Sequence, residues 1–111
     1  MAIRLQNSDS MTTRELLAAV LLYVKQEKRV SFHCDAGMGD IVAQRLRSML
    51  TRWRRSLERE GKPIARFTLH HEVYPETVDG KRCDCLVFWR TKFDSHFTLE
   101  LLDDLVGTGA K

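Results

Sequence analysis

The stretch from residue 29 to residue 59 constrains the fold most, because a strand, a tight loop and a long helix follow one another within it. Val30, Phe32 and Cys34 alternate with polar residues, which predicts a half-buried strand. The glycine-containing loop 36–39 then leads into a segment whose apolar residues recur at helical spacing. The predicted core stripe of this helix consists of Val42, Leu46, Met49, Leu50, Trp53 and Leu57.

Local signals at both ends bound this long helix. Asp40 is predicted to be its N-cap, and Gly61 followed by Pro63 is predicted to stop it. The side opposite the core stripe is strongly cationic, and its arginines are Arg45, Arg47, Arg52, Arg54, Arg55 and Arg59.

The N-terminal segment predicts a strand and a helix. Residues 2–6 alternate apolar and polar side chains, as a short strand does. Thr12 and Glu15 form a capping-box pattern, with the two residues exchanging hydrogen bonds at a helix start. A helix over about residues 13–26 follows, with an apolar face.

The C-terminal half predicts two further strands and a helix. Residues 66–73 alternate, and residues 83–90 are nearly apolar throughout, as in a central strand. Residues 74–82 are predicted to form a polar connection, with turn signals at Pro75 and at the Asp79–Gly80 pair. Residues 97–106 predict a short helix with an acidic polar face.

The resulting order is β-α-β-α-β-β with an added C-terminal helix. The two crossovers predict parallel strand pairs with both helices on one face of a four-stranded mixed sheet. The expected class is an α/β fold, more narrowly a two-layer α+β sandwich. At 111 residues the chain is expected to be one domain, with a core over residues 2–92.

Three segments carry a resemblance to the Alba family of small chromatin and RNA-binding proteins. ELLAAVLLYVKQ resembles the first helix of that family, and RVSFHCDAGMGDIVAQRLRSML resembles its second strand, glycine loop and second helix. RFTLHHEVYPETVDGKRCDCLVFW resembles its third strand, hairpin arm and fourth strand. The likeness covers residues 3–92. The order is also similar to the C-terminal domain of translation initiation factor three and to sulfur carriers of the TusA type.

The cationic helix suggests a nucleic-acid-binding surface. Arginines that recur along one side can bind successive phosphates, so DNA or RNA is the expected partner of a homodimer. Three alternatives remain: a solvated helix surface, an acidic protein partner of a non-catalytic interaction module, and coverage by the chain's own acidic terminal helix. Acidic residues at the glycine loop, Asp35 and Asp40, favour a protein partner.

Lys81 and Arg82 add a second basic segment. If residues 73–83 form an arm, these two side chains can reach a nucleic-acid groove. The alternative is a plain connecting loop.

No catalytic motif is present in the sequence, and no enzyme activity or cofactor is predicted. The G-x-G loop is predicted to be a tight turn rather than an anion site. Cys34, Cys83 and Cys85, with nearby histidines, raise zinc binding as an alternative, but their spacing favours packed structural thiols and no metal. A thiol or sulfur-carrier role is a third hypothesis. It requires an accessible cysteine of low pKa.

Charge and hydropathy set the remaining expectations. The net charge of +3 permits nucleic-acid binding without requiring it. The apolar run in the first helix is too short to span a bilayer. The expected location is therefore cytoplasmic, with reduced thiols and no membrane contact.

Overall fold

The computed structural model describes residues 2–5, 8–26, 28–62 and 67–91. The strands are β1 (Ala2–Arg4), β2 (Arg29–Asp35), β3 (Thr68–Val78) and β4 (Lys81–Thr91), and the helices are α1 (Thr13–Lys25) and α2 (Gly39–Arg59). A 3-10 turn, Ser8–Ser10, precedes α1. The predicted helix over residues 97–106 lies outside the described residues.

The four strands form one mixed sheet in the order β1-β2-β4-β3. β1 pairs parallel to β2, as the first crossover predicts. β3 runs in the same direction as β2, but the two are not neighbours, because β4 lies between them and pairs antiparallel with both. The second crossover therefore makes β2 and β3 parallel in direction, as predicted, but it does not make them neighbours in the sheet. The α+β class and the mixed sheet are confirmed.

Both helices pack on one face of this sheet. Their apolar stripes form a single core with the sheet residues that point toward them. The two middle strands, β2 and β4, supply the most deeply buried of these residues. The buried sheet residues are Val30, Phe32, Leu69, Leu86 and Phe88. Among the described residues, neither helix combines the length and apolarity needed to cross a bilayer.

Helix α1 is fixed at both ends. The predicted capping box is confirmed: the Thr12 hydroxyl accepts from the Glu15 backbone N–H at 3.1 Å, and the Thr12 N–H donates to the Glu15 carboxylate at 2.9 Å. At the other end, the Arg90 guanidinium donates to the carbonyls of Val24 and Lys25 at 2.8 and 3.3 Å. A cation at a helix C-terminus satisfies free carbonyls and complements the helix dipole.

The start of α2 differs from the sequence prediction. Met38, not Asp40, is the N-cap residue, and its side chain makes no capping hydrogen bond. Asp40 lies within the first turn. The predicted stop at Gly61 is confirmed, because Gly61 has φ of 71° and its N–H donates to the Glu58 carbonyl at 3.1 Å. Lys62 donates to Leu57, which completes a Schellman motif.

The segment predicted as a polar connection belongs to a long β-hairpin. The ladder between β3 and β4 continues without interruption from Thr68–Thr91 to Val78–Lys81. Only Asp79 and Gly80 form the turn, and both have positive φ (52° and 78°), as a type I′ hairpin turn requires. Pro75 lies within β3, which tolerates it because β3 is an edge strand. The plain-loop interpretation of residues 73–83 is therefore wrong.

Candidate functional site

Four of the six predicted arginines form a row on the solvent-facing side of α2. The row consists of Arg45, Arg52, Arg55 and Arg59, which are all exposed. At about 1.5 Å per residue, it extends over about 21 Å along the helix axis. Toward the described residues, the arginine row makes no hydrogen bond within 3.5 Å and no ion pair within 4.0 Å.

The other two arginines of α2 donate hydrogen bonds to the edge strand β3 and to the residue just before it. Arg47 donates to the Leu69 carbonyl at 2.7 Å and, through Nε, to His71 Nδ1 at 3.0 Å. Arg54 donates to the Phe67 carbonyl at 3.3 Å, and its guanidinium lies 4.7 Å from the centre of the Phe67 ring. Burial lowers the pKa of Arg54. Arg47 and Arg54 therefore hold α2 against the sheet, and they are not free to bind a partner.

The contact between Arg47 and His71 requires a neutral imidazole, because Nδ1 must accept a hydrogen bond. Burial, assisted by the Arg47 charge, lowers the pKa of His71 below its ordinary value of 6.5. The unfolded chain thus binds this proton more readily than the native protein does. The contribution of His71 to stability is present above pH 6.5 and is lost as the pH falls through the native pKa.

We expect His71→Asn to remove this part of the acid sensitivity. An asparagine oxygen can accept from Arg47 where Nδ1 did, but it does not titrate. The free energy of unfolding, measured by denaturant at pH values of about 7.5 and about 5.5, should fall less for the variant than for the wild type. An equal decrease in both proteins would contradict the assignment.

The distal part of the β-hairpin, residues 73–83, forms a basic-tipped arm. Lys81 and Arg82 are both exposed next to the turn. Side chains alternate across a strand, so Arg82 lies on the helix-facing side of the sheet and Lys81 on the opposite side. Of the acidic residues in the arm, Glu76 is occupied by His33 at 2.6 Å, while Asp79 is exposed at the turn.

The glycine loop before α2 contains an internal anion. The Asp84 carboxylate on β4 accepts from the Gly37 N–H at 3.1 Å and from the Gly39 N–H at 2.8 Å. This carboxylate occupies the position at the helix N-terminus that an external phosphate would take. The prediction of a turn rather than an anion site is consistent with this geometry. Asp84 was not among the residues predicted from the sequence, where the available signal was one carboxylate in a nearly apolar strand.

The sheet face opposite the helices carries a ladder of stacked side chains. Trp89 lies between Arg29 on β2 and His70 on β3. The Arg29 guanidinium lies 4.3 Å from the centre of the Trp89 ring, and the centre of the His70 ring lies 5.5 Å from it. Because neighbours on both adjoining strands cover this ring, Trp89 is not a free platform for a nucleic-acid base.

Two of the three cysteines have thiol pKa values raised above the ordinary value. Burial, together with the carboxylates of Asp84 and Asp35, raises the pKa of Cys34 to about 11. Burial also raises the pKa of Cys85, which has no exposed surface. A reactive cysteine needs the opposite combination of low pKa and access, so these two thiols lend no support to a sulfur-transfer role.

A groove of about 320 Å³ separates the 3-10 turn from α2. Arg45 lines it together with Asp9 and Asp35. Two carboxylates near Arg45 reduce the local positive potential, so the C-terminal part of the arginine row is the stronger anion-binding region.

Comparisons of the chain with protein-family models, with curated proteins and with solved structures found no match. The sheet order and the two helices are compatible with an Alba-like order of elements.

Proposed function

We propose that this protein is an Alba-like nucleic-acid-binding protein that contacts the phosphate backbone through the arginine row. The observation that carries the proposal is the separation of the six α2 arginines into two sets. Arg47 and Arg54 are tied to the sheet side of the helix, whereas the four of the row are exposed and unpaired toward the described residues. Structural contacts therefore explain two of the six arginines, and the other four are available to bind a partner.

The dimensions of the row suit a polyanion. Duplex DNA presents a phosphate about every 3.4 Å of axis on each strand, so a row of about 21 Å is long enough to meet several phosphates. Arginine binds a phosphate through two parallel N–H donors, which lysine does not. Contacts of this type fix position on the backbone without recognising the base sequence.

The neighbouring carboxylates repel a phosphate at the arginine row less than the sequence suggests, because several of them are already paired. Asp84 is occupied by the glycine loop, and Glu76 is paired with His33 and with Arg4 on the other face of the sheet. Asp35 and Asp40 are exposed at the N-terminal end of α2. We therefore assign the principal contacts to Arg52, Arg55 and Arg59, with Arg45 and the basic arm in secondary roles.

A salt-titrated binding assay tests the proposal. With three to four phosphate contacts, the affinity for duplex DNA should fall about 40- to 150-fold between about 50 and 200 mM monovalent salt. Single-stranded DNA and RNA, tested in parallel, identify the preferred nucleic acid. Lys81→Gln combined with Arg82→Gln should reduce the slope of log affinity against log salt if the arm takes part.

Absence of binding to duplex DNA, single strands and RNA at about 50 mM salt would contradict the proposal. The arginine row would then fit an acidic protein partner, as in a non-catalytic accessory module. Homodimerisation and a cytoplasmic location stay predictions.

A further inference from the structure

Three strands bring one imidazole, one carboxylate and one thiol together on the sheet face opposite the helices. His33 on β2 pairs directly with Cys85 on β4, and Glu76 on β3 lies diagonally across from the same thiol. His33 Nε2, a Glu76 carboxylate oxygen and Cys85 Sγ all lie within 4.8 Å of one another. The His33 and Glu76 atoms are already 2.6 Å apart.

These atoms are the donor types that zinc prefers. Zinc binds cysteine sulfur at about 2.3 Å and histidine nitrogen or carboxylate oxygen at about 2.0–2.2 Å, in tetrahedral geometry. In that geometry neighbouring donor atoms lie about 3.5 Å apart. The His33 and Glu76 atoms lie closer together than this value, and every pair of donor atoms lies within 4.8 Å. The three side chains therefore converge on one point, from which small side-chain rotations would bring them onto a single ion.

The surroundings hold the cluster in place. Arg4 on β1 lies 3.7 Å from the second Glu76 oxygen, and the Ser8 hydroxyl donates to the His33 carbonyl at 3.2 Å. Tyr74 on β3 lies directly opposite Cys85 in the strand register. Such outer contacts orient the ligands of a metal and tune its affinity.

Burial places the thiol beneath the other two ligands. Cys85 has no exposed surface, whereas the side chains of His33 and Glu76 are 24% and 29% exposed. A metal ion entering from solvent would meet these two side chains first and Cys85 last. Three protein ligands leave the fourth tetrahedral position on the solvent side.

We propose that His33, Glu76 and Cys85 form a zinc-binding site with one position open to water or to an exogenous ligand. Without metal, the hydrogen bond between His33 and Glu76 satisfies both groups. Binding replaces that bond with two metal bonds. The proton on His33 Nε2 leaves that nitrogen, with Nδ1 carrying the ring proton instead, and the thiol proton leaves to the buffer as the sulfur binds. The site lies on the opposite face of the sheet from the arginine row, so it uses none of the arginines assigned to phosphate contacts.

Titration of the full chain with Co²⁺ as a spectroscopic substitute for zinc tests the proposal. We expect saturation at one equivalent, with the visible bands of tetrahedral cobalt and a near-ultraviolet thiolate-to-cobalt charge-transfer band. Addition of Zn²⁺ should bleach both. Zn²⁺ should also raise the thermal unfolding midpoint, because a ligand that binds only the native state stabilises it.

Substitutions of the exposed ligands separate this site from adventitious binding. His33→Asn and Glu76→Gln should each weaken cobalt binding at least about 100-fold, since even outer contacts contribute about 10- to 100-fold. The matched controls His70→Asn and Cys34→Ser alter the same residue types outside the cluster and should leave the spectrum unchanged. Neither ligand substitution removes a core side chain, and circular dichroism checks that each variant is folded.

Absence of tetrahedral cobalt bands in the wild type would overturn the proposal. So would bands that survive both ligand substitutions or disappear in the Cys34→Ser control. The cobalt titration contains no nucleic acid, so its result does not depend on whether the arginine row binds nucleic acid.

Discussion

Gly39→Ala is expected to lower the free energy of unfolding by about 3 kcal/mol, because no space exists for a methyl group at the start of α2. A Cβ atom at this position would lie 2.9 Å from the Asp84 carboxylate and still closer to a Val73 methyl group. Both neighbours are short side chains on strands, so neither can move aside without shifting the sheet. Displacing Asp84 would also weaken its hydrogen bonds to the loop, and hydrogen bonds to a charged group contribute about 1.5–3 kcal/mol.

Gly37→Ala provides the matched control for this substitution. Gly37 has φ of 84°, and no atom lies within 4 Å of the position that a Cβ would take. The constraint at Gly39, by contrast, is purely steric. The left-handed conformation should therefore cost alanine only about 1–2 kcal/mol at position 37. Chemical denaturation of both variants measures the difference. A smaller loss for Gly39→Ala than for Gly37→Ala would show that the helix start can relax, and would contradict the packing described here.

A double-mutant cycle with Asp84→Ala identifies the partner. Asp84→Ala alone should cost about 2 kcal/mol, because it leaves the Gly37 and Gly39 N–H groups without their acceptor. The double variant Gly39→Ala with Asp84→Ala should lose less free energy of unfolding than the two single variants lose together, because Asp84→Ala removes the carboxylate with which the new methyl group clashes. Additive losses would indicate that Val73 alone sets the steric limit.

Arg52→Glu combined with Arg55→Glu is expected to abolish measurable binding to nucleic acid at about 0.1 M salt. Each neutralised phosphate contributes about 0.9 to the slope of log affinity against log salt, so two contacts contribute about 60-fold at that salt concentration. Reversing the charges adds repulsion to this loss. Both side chains are exposed and unpaired toward the described residues, so the fold should be unaffected.

The neutral pair Arg52→Gln with Arg55→Gln makes the test quantitative. It should weaken binding about 60-fold and reduce the salt slope by about 1.8, measured by fluorescence anisotropy over a range of salt. The matched control is Arg14→Gln with Lys28→Gln, which removes the same net charge outside the row. Equal weakening by the two pairs would mean that binding follows total charge, and the proposed interface would then be wrong.

Much of the architecture follows from local sequence. The α1 capping box involves residues only three apart, and the Gly61 stop lies within one turn of the helix that it ends. The alternation in β2 predicts a half-buried strand, which its alternating burial confirms. The apolar run in β4 predicts a central strand, which the sheet order confirms. Such features are predictable because the interacting groups are neighbours in the chain or share a periodic face.

The hairpin shows where local propensity misleads. Polar residues, Pro75 and a turn pair predict a connection, yet β3 stays paired with β4 as far as Val78. Pairing with β4 satisfies the backbone of this polar segment, and its position at the sheet edge accommodates the proline. Neither the pairing with β4 nor the edge position can be predicted from the sequence until the order of the strands in the sheet is known.

The sequence by itself determined the element order, the helix faces and the concentration of arginine on α2. Only the tertiary structure decided which arginines are structural, because the partners of Arg47 lie on a strand 22 and 24 residues away. The tertiary structure also replaced Asp40 by Asp84, 45 residues distant from Gly39, as the group that satisfies the start of α2. It joined His33 to Glu76 across 43 residues. The physical reason is common to all three: a charged group acts on what lies within a few ångströms, and insertion of β4 between β2 and β3 sets those neighbours.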